Sequence, residues 1–335
     1  MPYLFELSGE HRQMASAEIM GCAEAENSFI SEIESGDGYL LADTDAPAEI
    51  FGDRCGLLWR VSQVLFDGDY RQILERIPDA INGLALNGSF AVRARVKNSP
   101  IDPVELQRKA GAVISREAGM RVNLTSPDTV FRIFVSGERL FFGLLSASID
   151  RSALEERKVQ NRPFFSPISI HPKYARAMIN LARAGRGARI LDPFCGTGGI
   201  LIEAGSMGLH PLGSDISQEM IDGSARNLRY EGLSAELKRC DVSAIKDEFG
   251  QVDAIVTDPP YGRASTTNRE DIRSLYRRML EAFENVLRPS GYASIVVPDL
   301  SLIAGLPEGL AFRESYPLKV HRSLTRNFVL LQRTE

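Results

Sequence analysis

Apolar and polar residues alternate with period two along Ser89–Lys97, placing Phe90, Val92, Ala94 and Val96 on one face and Ala91, Arg93, Arg95 and Lys97 on the other. This is the pattern of a half-buried strand with a basic exposed edge. Pro103–Ala118 has helical periodicity and opens with Asp102-Pro103, an N-cap followed by proline in the first helical position. Val130–Val135 and Arg139–Leu145 read as strands about the turn Ser136-Gly137-Glu138. Upstream, Tyr3–Leu7, Phe29–Ile33, Tyr39–Ala42 and Leu57–Phe66 read as strands, and His11–Ala25 and Ala46–Arg54 as helices. The pattern changes after residue 163. Short, mostly apolar runs at Ala188–Leu191 and Val252–Val256 read as buried strands, each closed by a punctuated turn. Pro211–Ser214, Ala235–Cys240, Tyr292–Val297, Tyr316–Val320 and Asn327–Leu331 supply further strands. Helices are expected to begin at Pro172, to run over Ile200–Met207 and to lie around Ser274–Val286.

These shifts divide the chain into an α+β unit over 1–70, a second over 71–150, a polar linker over 151–163 ending at Pro163, and an α/β unit over 164–335. The net charge of −5 hides an uneven distribution. Residues 1–70 hold 3 Lys+Arg against 14 Asp+Glu, 71–162 hold 15 against 10, and 163–335 hold 21 against 20. A basic segment in an acidic chain is the electrostatic footprint expected for RNA. The four cysteines are scattered without a C-x-x-C pair, so neither a metal site nor a disulfide framework is expected. No apolar run reaches membrane-spanning length and no signal pattern opens the chain. A monomer in the reducing cytoplasm is the resulting expectation.

Candidate chemistry gathers at strand ends after residue 188. The first turn reads Asp192-Pro193-Phe194-Cys195-Gly196-Thr197-Gly198-Gly199, where glycines let the backbone approach a ligand before a helix begins. No third glycine arrives in the register of a dinucleotide fingerprint, which disfavours a nicotinamide enzyme. Asp215, with Ile216 after it, lies 17 residues beyond Gly198, an offset at which a carboxylate can accept both hydroxyls of a ribose. Asp241 follows the third strand and suits an exocyclic adenine amine, with Val242 offering a backbone amide. An aspartate at any one of these positions could be only a helix N-cap. Three at successive strand ends after a glycine turn make an S-adenosylmethionine site.

Asp258-Pro259-Pro260-Tyr261 is the sharpest motif. A carboxylate at the strand end accepts one hydrogen of a planar amine, and the carbonyl of Pro259 accepts the other. Two prolines hold both acceptors in a set geometry. The nitrogen lone pair is thereby drawn out of conjugation, and Tyr261 can stack on the base that carries it. The chemistry is methyl transfer to an exocyclic amine.

The glycine turn resembles the D-x-F-x-G-x-G turn of class I methyltransferases. That resemblance implies that Asp192 faces the amino group of the methionine moiety and that the glycine amides face its carboxylate. Phe90-Ala91-Val92-Arg93-Ala94-Arg95, the helix ending near Gly119, Val122-Asn123-Leu124 and Pro127-Asp128 resemble a THUMP domain, the module that grips the acceptor end of tRNA in RNA-modifying enzymes. A ferredoxin-like unit usually precedes it, and residues 1–70 suit that place. Over its full length the chain resembles the archaeal THUMP-containing methyltransferases of tRNA guanosine-10 N2. The resemblance is strongest over 162–182, 192–199, 258–262 and 321–326. It implies a seven-stranded Rossmann-like sheet, S-adenosylmethionine held by Asp192, Phe194, Gly196, Gly198, Asp215, Ile216, Asp241 and Val242, and a guanine facing Asp258, Pro259 and Tyr261. A sister group acting on guanosine 6 usually has Asn in place of Asp258. An adenine-N6 methyltransferase and a tRNA-binding protein without activity are the competing readings. The N-terminal RNA-like module opposes the first, and the complete set of strand-end carboxylates opposes the second. Arg263, Arg269, Arg273, Arg277 and Arg278 are expected either to hold phosphates or to form a solvated helix face, and the turn His321–Arg326 is a candidate substrate contact.

Overall fold

A computed structural model describes residues 2–166, 169–261, 271–321 and 324–335. Its strands, in chain order, are β1 (Pro2–Leu7), β2 (Ile30–Gly36), β3 (Tyr39–Thr44), β4 (Leu58–Asp69), β5 (Ser89–Lys97), β6 (Arg121–Val122), β7 (Thr129–Ser136), β8 (Arg139–Ser148), β9 (Arg189–Asp192), β10 (His210–Asp215), β11 (Glu236–Arg239), β12 (Val252–Thr257), β13 (Leu287–Val297), β14 (Leu310–His321) and β15 (Leu324–Arg333). The α-helices are α1 (Arg12–Ala25), α2 (Ala48–Arg54), α3 (Ile73–Ile81), α4 (Pro103–Ala118), α5 (Arg151–Glu156), α6 (Pro172–Leu181), α7 (Gly199–Ser206), α8 (Gln218–Tyr230), α9 (Ile245–Phe249) and α10 (Ile272–Val286).

The chain forms two compact units. The first comprises Met1–Arg12, Ser28–Gly52 and Leu58–Ile149 and is built on one eight-stranded sheet, ordered β2-β3-β1-β4-β8-β7-β5-β6. The strands of 1–70 and of 71–150 therefore share a continuous ladder through the antiparallel pair β4–β8. Helix α3 places Ile73, Ile77 and Ile81 on one stripe, and α4 does the same with Leu106, Ala110 and Ile114. Both stripes bury against Phe90, Phe131 and Phe142 of the sheet. Helix α4 begins as expected, with the Asp102 side chain accepting from the Val104 amide and Gly119 closing it at φ 65°. The basic edge of β5 is partly neutralised by the acidic segment. Lys97 pairs with Asp37 at 2.8 Å, and Arg95 lies 3.7 Å from Glu6. Glu6 itself is fully buried and accepts from Nε and Nη2 of Arg132 at 2.9 and 2.5 Å.

The second unit comprises Gln13–Asn27, Asp53–Leu57 and Asp150–Glu335. Its seven strands run β11-β10-β9-β12-β13-β15-β14, with the first five parallel and β15 antiparallel to both of its neighbours. Chain order reverses between β9 and β12, so the crevice at their carboxyl ends is the switch point where ligands bind in open α/β sheets. The core on one face joins Leu191, Ile255, Tyr276, Met279, Phe283, Ile295 and Val329. Helix α1, read above with the N-terminal segment, packs here against α6. A side chain on Gly21 would lie 2.4 Å from the Asn180 carbonyl oxygen. Buried Glu18 of α1 accepts the amides of Gly56 and Leu57 at 2.6 and 2.8 Å, and Asn180 donates to it at 3.3 Å. The polar stretch 151–163 carries α5 and a 3-10 turn at Val159–Asn161, and Arg157 within it bonds Glu203 of α7.

Candidate functional site

The glycine turn after β9 is shaped by its own backbone. Gly196 and Gly198 have φ of 49° and 79°, values open to glycine at little cost. The Cys195 amide donates to the Ser214 carbonyl at 2.9 Å, and the Gly198 amide to the Cys195 carbonyl at 2.8 Å. Gly198 is the N-cap of α7 and no side chain caps that end, so the first amides of the helix face outward unclaimed by a cap. Buried Asn227 of α8 locks the turn to the segment before it. Its amide group donates to the carbonyls of Thr197 (2.9 Å) and Phe164 (3.0 Å), and its oxygen accepts from the Phe164 amide at 2.9 Å.

Asp192, at the end of β9, is 2% exposed. One of its oxygens accepts from the Thr257 hydroxyl at 2.6 Å and from the Phe194 amide at 3.2 Å. Burial pushes its carboxyl up to about 7, with the Asp215 and Asp258 charges adding to the rise and the two hydrogen bonds opposing it. Such a carboxyl is poised to pair with a cation. The Phe194 ring packs against the neighbouring core cluster.

Asp215 ends β10. Its two oxygens accept the amides of Gly196 (3.1 Å) and Ser217 (2.9 Å), which fixes the carboxylate beside the glycine turn. Burial raises its pKa against those bonds. Ile216 follows with 44% of its surface open, a flat apolar contact beside a polar acceptor. Asp241 caps the 3-10 turn Val242–Ala244 through the Ser243 amide at 2.9 Å and pairs with Arg278 at 2.5 Å. Burial alone would raise its pKa, but the Arg278 guanidinium and the Ser243 amide hold it below the usual range. A ligand amine at Asp241 would share that carboxylate with Arg278. The Val242 side chain lies in the core.

Asp258 stands directly after β12, next to β9 in the sheet, and Thr257 ties the two strand ends together through its bond to Asp192. The Tyr261 hydroxyl donates to one Asp258 oxygen at 2.6 Å, and Arg326 of β15 faces the other at 4.0 Å. Burial raises the Asp258 pKa while Arg326 and Tyr261 lower it. Pro259 is buried, whereas Pro260 and Tyr261 are half-buried. Tyr276 of α10, fully buried, adds a hydroxyl without a hydrogen-bond partner among the described residues, close enough to feel the Asp258 charge. The arrangement offers a carboxylate, a proline carbonyl and an aromatic ring on one loop at the switch point.

Among the arginines expected around this loop, Arg278 holds Asp241 and Arg273 and Arg277 lie exposed on α10. Arg263, Arg269 and the motif's Gly262 lie outside the described residues, as do Arg322 and Ser323 of the 321–326 turn. His171 is the N-cap of α6, accepting the Lys173 amide at 3.2 Å. Arg326 and Tyr276 reach Asp258 by tertiary approach alone. Arg326 sits in a segment that sequence reading flagged, but nothing in its spacing from Asp258 marks it as a partner.

A Rossmann-like unit with this switch-point loop, carried in one chain with a second sheet-based unit, defines a methyltransferase with an appended α+β module. Two family models agree with that class. The model described as RMKL-like methyltransferase domain matches residues 160–327, and the THUMP domain model matches 73–145. The chain is 36% identical to a tRNA (guanine(10)-N2)-dimethyltransferase of Methanothermobacter thermautotrophicus, covering 99% of this chain and 100% of that one. It is 38% identical to the protein of the same name from Pyrococcus abyssi, covering 98% and 99%. The crystal structure of TrmN from Thermus thermophilus superposes with a TM-score of 0.59 at 22% identity, covering 99% of this chain and 100% of that one, a likeness of fold. This chain belongs to the THUMP-containing family of the tRNA (guanine(10)-N2)-dimethyltransferases.

Proposed function

We propose that the protein methylates the exocyclic N2 amine of a guanosine in tRNA, at position ten, with S-adenosylmethionine as donor, giving N2-methylguanosine and then N2,N2-dimethylguanosine. The observation that carries the chemistry is Asp258. It stands on a proline-fixed loop at the switch point, beside the buried strand end that holds Asp192. Position ten is favoured by the two full-length relatives whose names carry it.

The residues present fit the donor. Asp192 offers a buried carboxyl to an ammonium, the Gly196–Gly199 turn offers amides to a carboxylate, and Asp215 and Ile216 offer an acceptor and an apolar contact to a nucleoside. When bound, S-adenosylmethionine supplies an electrophilic methyl group. Asp258 accepts one N2 hydrogen and the Pro259 carbonyl the other, aiming the nitrogen lone pair out of the base plane. The Asp258 carboxylate then stabilises the charge that grows on nitrogen and receives the proton it sheds. Tyr261, which donates to one Asp258 oxygen, gives up that bond as the amine arrives and turns its ring to the base. Arg326 opposes the rise that burial imposes on the Asp258 pKa.

The THUMP segment supplies phosphate contacts that set the register of the tRNA. Ahead of it, the order β1-α1-β2-β3-α2-β4 with sheet order β2-β3-β1-β4 supports the ferredoxin-like reading of 1–70. A tRNA transcript with adenosine in place of guanosine 10 tests the position. Methyl incorporation should vanish with it, whereas undiminished incorporation would move the target elsewhere.

A further inference from the structure

Strand β15 runs antiparallel to β13, so its first residues lie at the carboxyl ends of the parallel strands, where Asp258 stands. Thr257, the residue before Asp258, sits opposite Ile295 of β13, and Val297 two residues on sits opposite Asn327 of β15. The Asn327 side-chain amide fixes that start by donating to the carbonyls of Val297 and Pro298 at 3.2 and 3.4 Å. Arg326, one residue earlier, is thereby held at the crevice with 18% of its side chain exposed. Its Nη2 lies 4.0 Å from Asp258 Oδ2, close enough for attraction but beyond hydrogen-bond length. Its Nε is buried without a hydrogen-bond partner among the described residues. A guanidinium never gives up its proton, so a buried donor of this kind is costly until an acceptor completes it.

The order of groups around Asp258 says which acceptor. The Tyr261 hydroxyl donates to Oδ1, the position that the target amine takes over, and Arg326 lies on the Oδ2 side. Read across the site, the protein presents an acceptor, a second acceptor and then a charged donor. The Watson–Crick edge of guanine, read from its amine, presents a donor at N2, a donor at N1 and an acceptor at O6. The two rows match in order. Adenine held by its N6 amine would turn the N1 lone pair against Oδ2 and offer Arg326 no acceptor. Bases outside the stack are read along this edge, and a guanidinium suits O6, as it does when arginine reads guanine in duplex DNA.

We propose that Arg326 donates to O6 of the target guanine while Asp258 accepts from N2 and N1, and that Arg326 is the residue that restricts this Asp-Pro-Pro-Tyr loop to guanine. The proposal rests on the functional reading above and adds to it the group that tells one amine-bearing base from another.

Single-turnover methyl transfer by the full chain to two tRNAs tests it. They differ only in that one carries 2-aminopurine riboside in place of the guanosine that is methylated. This base keeps the amine but lacks O6 and the N1 proton. The wild-type protein should prefer guanosine strongly. Arg326→Gln should narrow that preference by roughly 10- to 100-fold, the range of a charged hydrogen bond, by slowing transfer to guanosine more than transfer to 2-aminopurine. Equal slowing on both tRNAs, with the preference intact, would show that Arg326 acts only through Asp258 and would overturn the proposal. Unchanged rates on both would overturn it too. The comparison on wild-type protein needs no variant, so a misfolded Arg326→Gln leaves the question decidable: equal rates on the two tRNAs refute it. A wild-type protein that methylates no tRNA guanosine would instead overturn the functional reading, and the proposal with it.

Discussion

Asp192 makes the cofactor's affinity depend on pH in a calculable way. Burial disfavours the charge on its carboxyl and pushes its pKa up to about 7. The folded state therefore holds a proton there that an ordinary aspartate would have lost, and that proton must leave before an ammonium can pair with the group. Apparent affinity scales with the ionised fraction. At pH ~5.5 that fraction is roughly 3%, and at pH ~7.5 about three quarters, so affinity for S-adenosylhomocysteine should rise roughly twentyfold across the window. The ligand's α-amino group keeps its proton over most of this range. Calorimetry in two buffers of different ionisation enthalpy should also register close to one proton released per ligand at the acid end, fading as pH rises. Asp192→Asn should bind weakly and lose the pH slope. A wild-type affinity that is flat over this window, with no proton release, would show that Asp192 does not pair with the ligand's ammonium.

Further consequences are testable in the same preparations. Asp258→Asn should slow single-turnover methyl transfer about 10²–10³-fold with a smaller change in cofactor affinity, and Asp258→Ala should be slower still, since it leaves an amine hydrogen unpaired in a dry pocket. Asp215→Ala should weaken S-adenosylhomocysteine binding by about 1.5–3 kcal/mol, read by calorimetry, while an unchanged affinity would remove Asp215 from the site. A fragment beginning at residue 163 loses Glu18 and Arg54 from around Asn180 and should melt well below the full chain in scanning calorimetry. Equal melting temperatures would show that α1 contributes nothing to this unit. Glu18 also titrates up to about 7. Its raised value means that the folded state favours the proton, so its contribution to stability is fullest below the ordinary carboxylate range and falls away as pH rises toward 7, a trend Glu18→Gln should flatten.

Where local signals and tertiary demands coincide, the sequence was legible to the residue. Ser89–Lys97 alternates and Asp102-Pro103 caps, and β5 and α4 have those bounds. The strand-end aspartates were legible because glycine and proline punctuate the turns that carry them. Helix α3 was missed because Pro78 sits within it and its apolar stripe is only three isoleucines. The stretch 151–163 reads as a linker from polarity, since its arginines find buried partners only once α7 is in place. Period reports that α1 has a buried face but not which surface covers it, so its partner α6, some 160 residues on, was invisible. Buried ions at Glu6–Arg132 and the approach of Arg326 to Asp258 likewise depend on pairings that no spacing encodes.

The central claim is that the loop from Asp258 to Tyr261 drives N2 methylation of a tRNA guanosine. The most direct measurement is nucleoside mass spectrometry of an unmodified tRNA transcript after incubation with the protein and S-adenosylmethionine, run beside Asp258→Ala. The account predicts N2-methylguanosine and N2,N2-dimethylguanosine with the wild-type protein and neither with the variant. Methylation on adenine N6, no methylated nucleoside at all, or near-normal methylation by Asp258→Ala would contradict it.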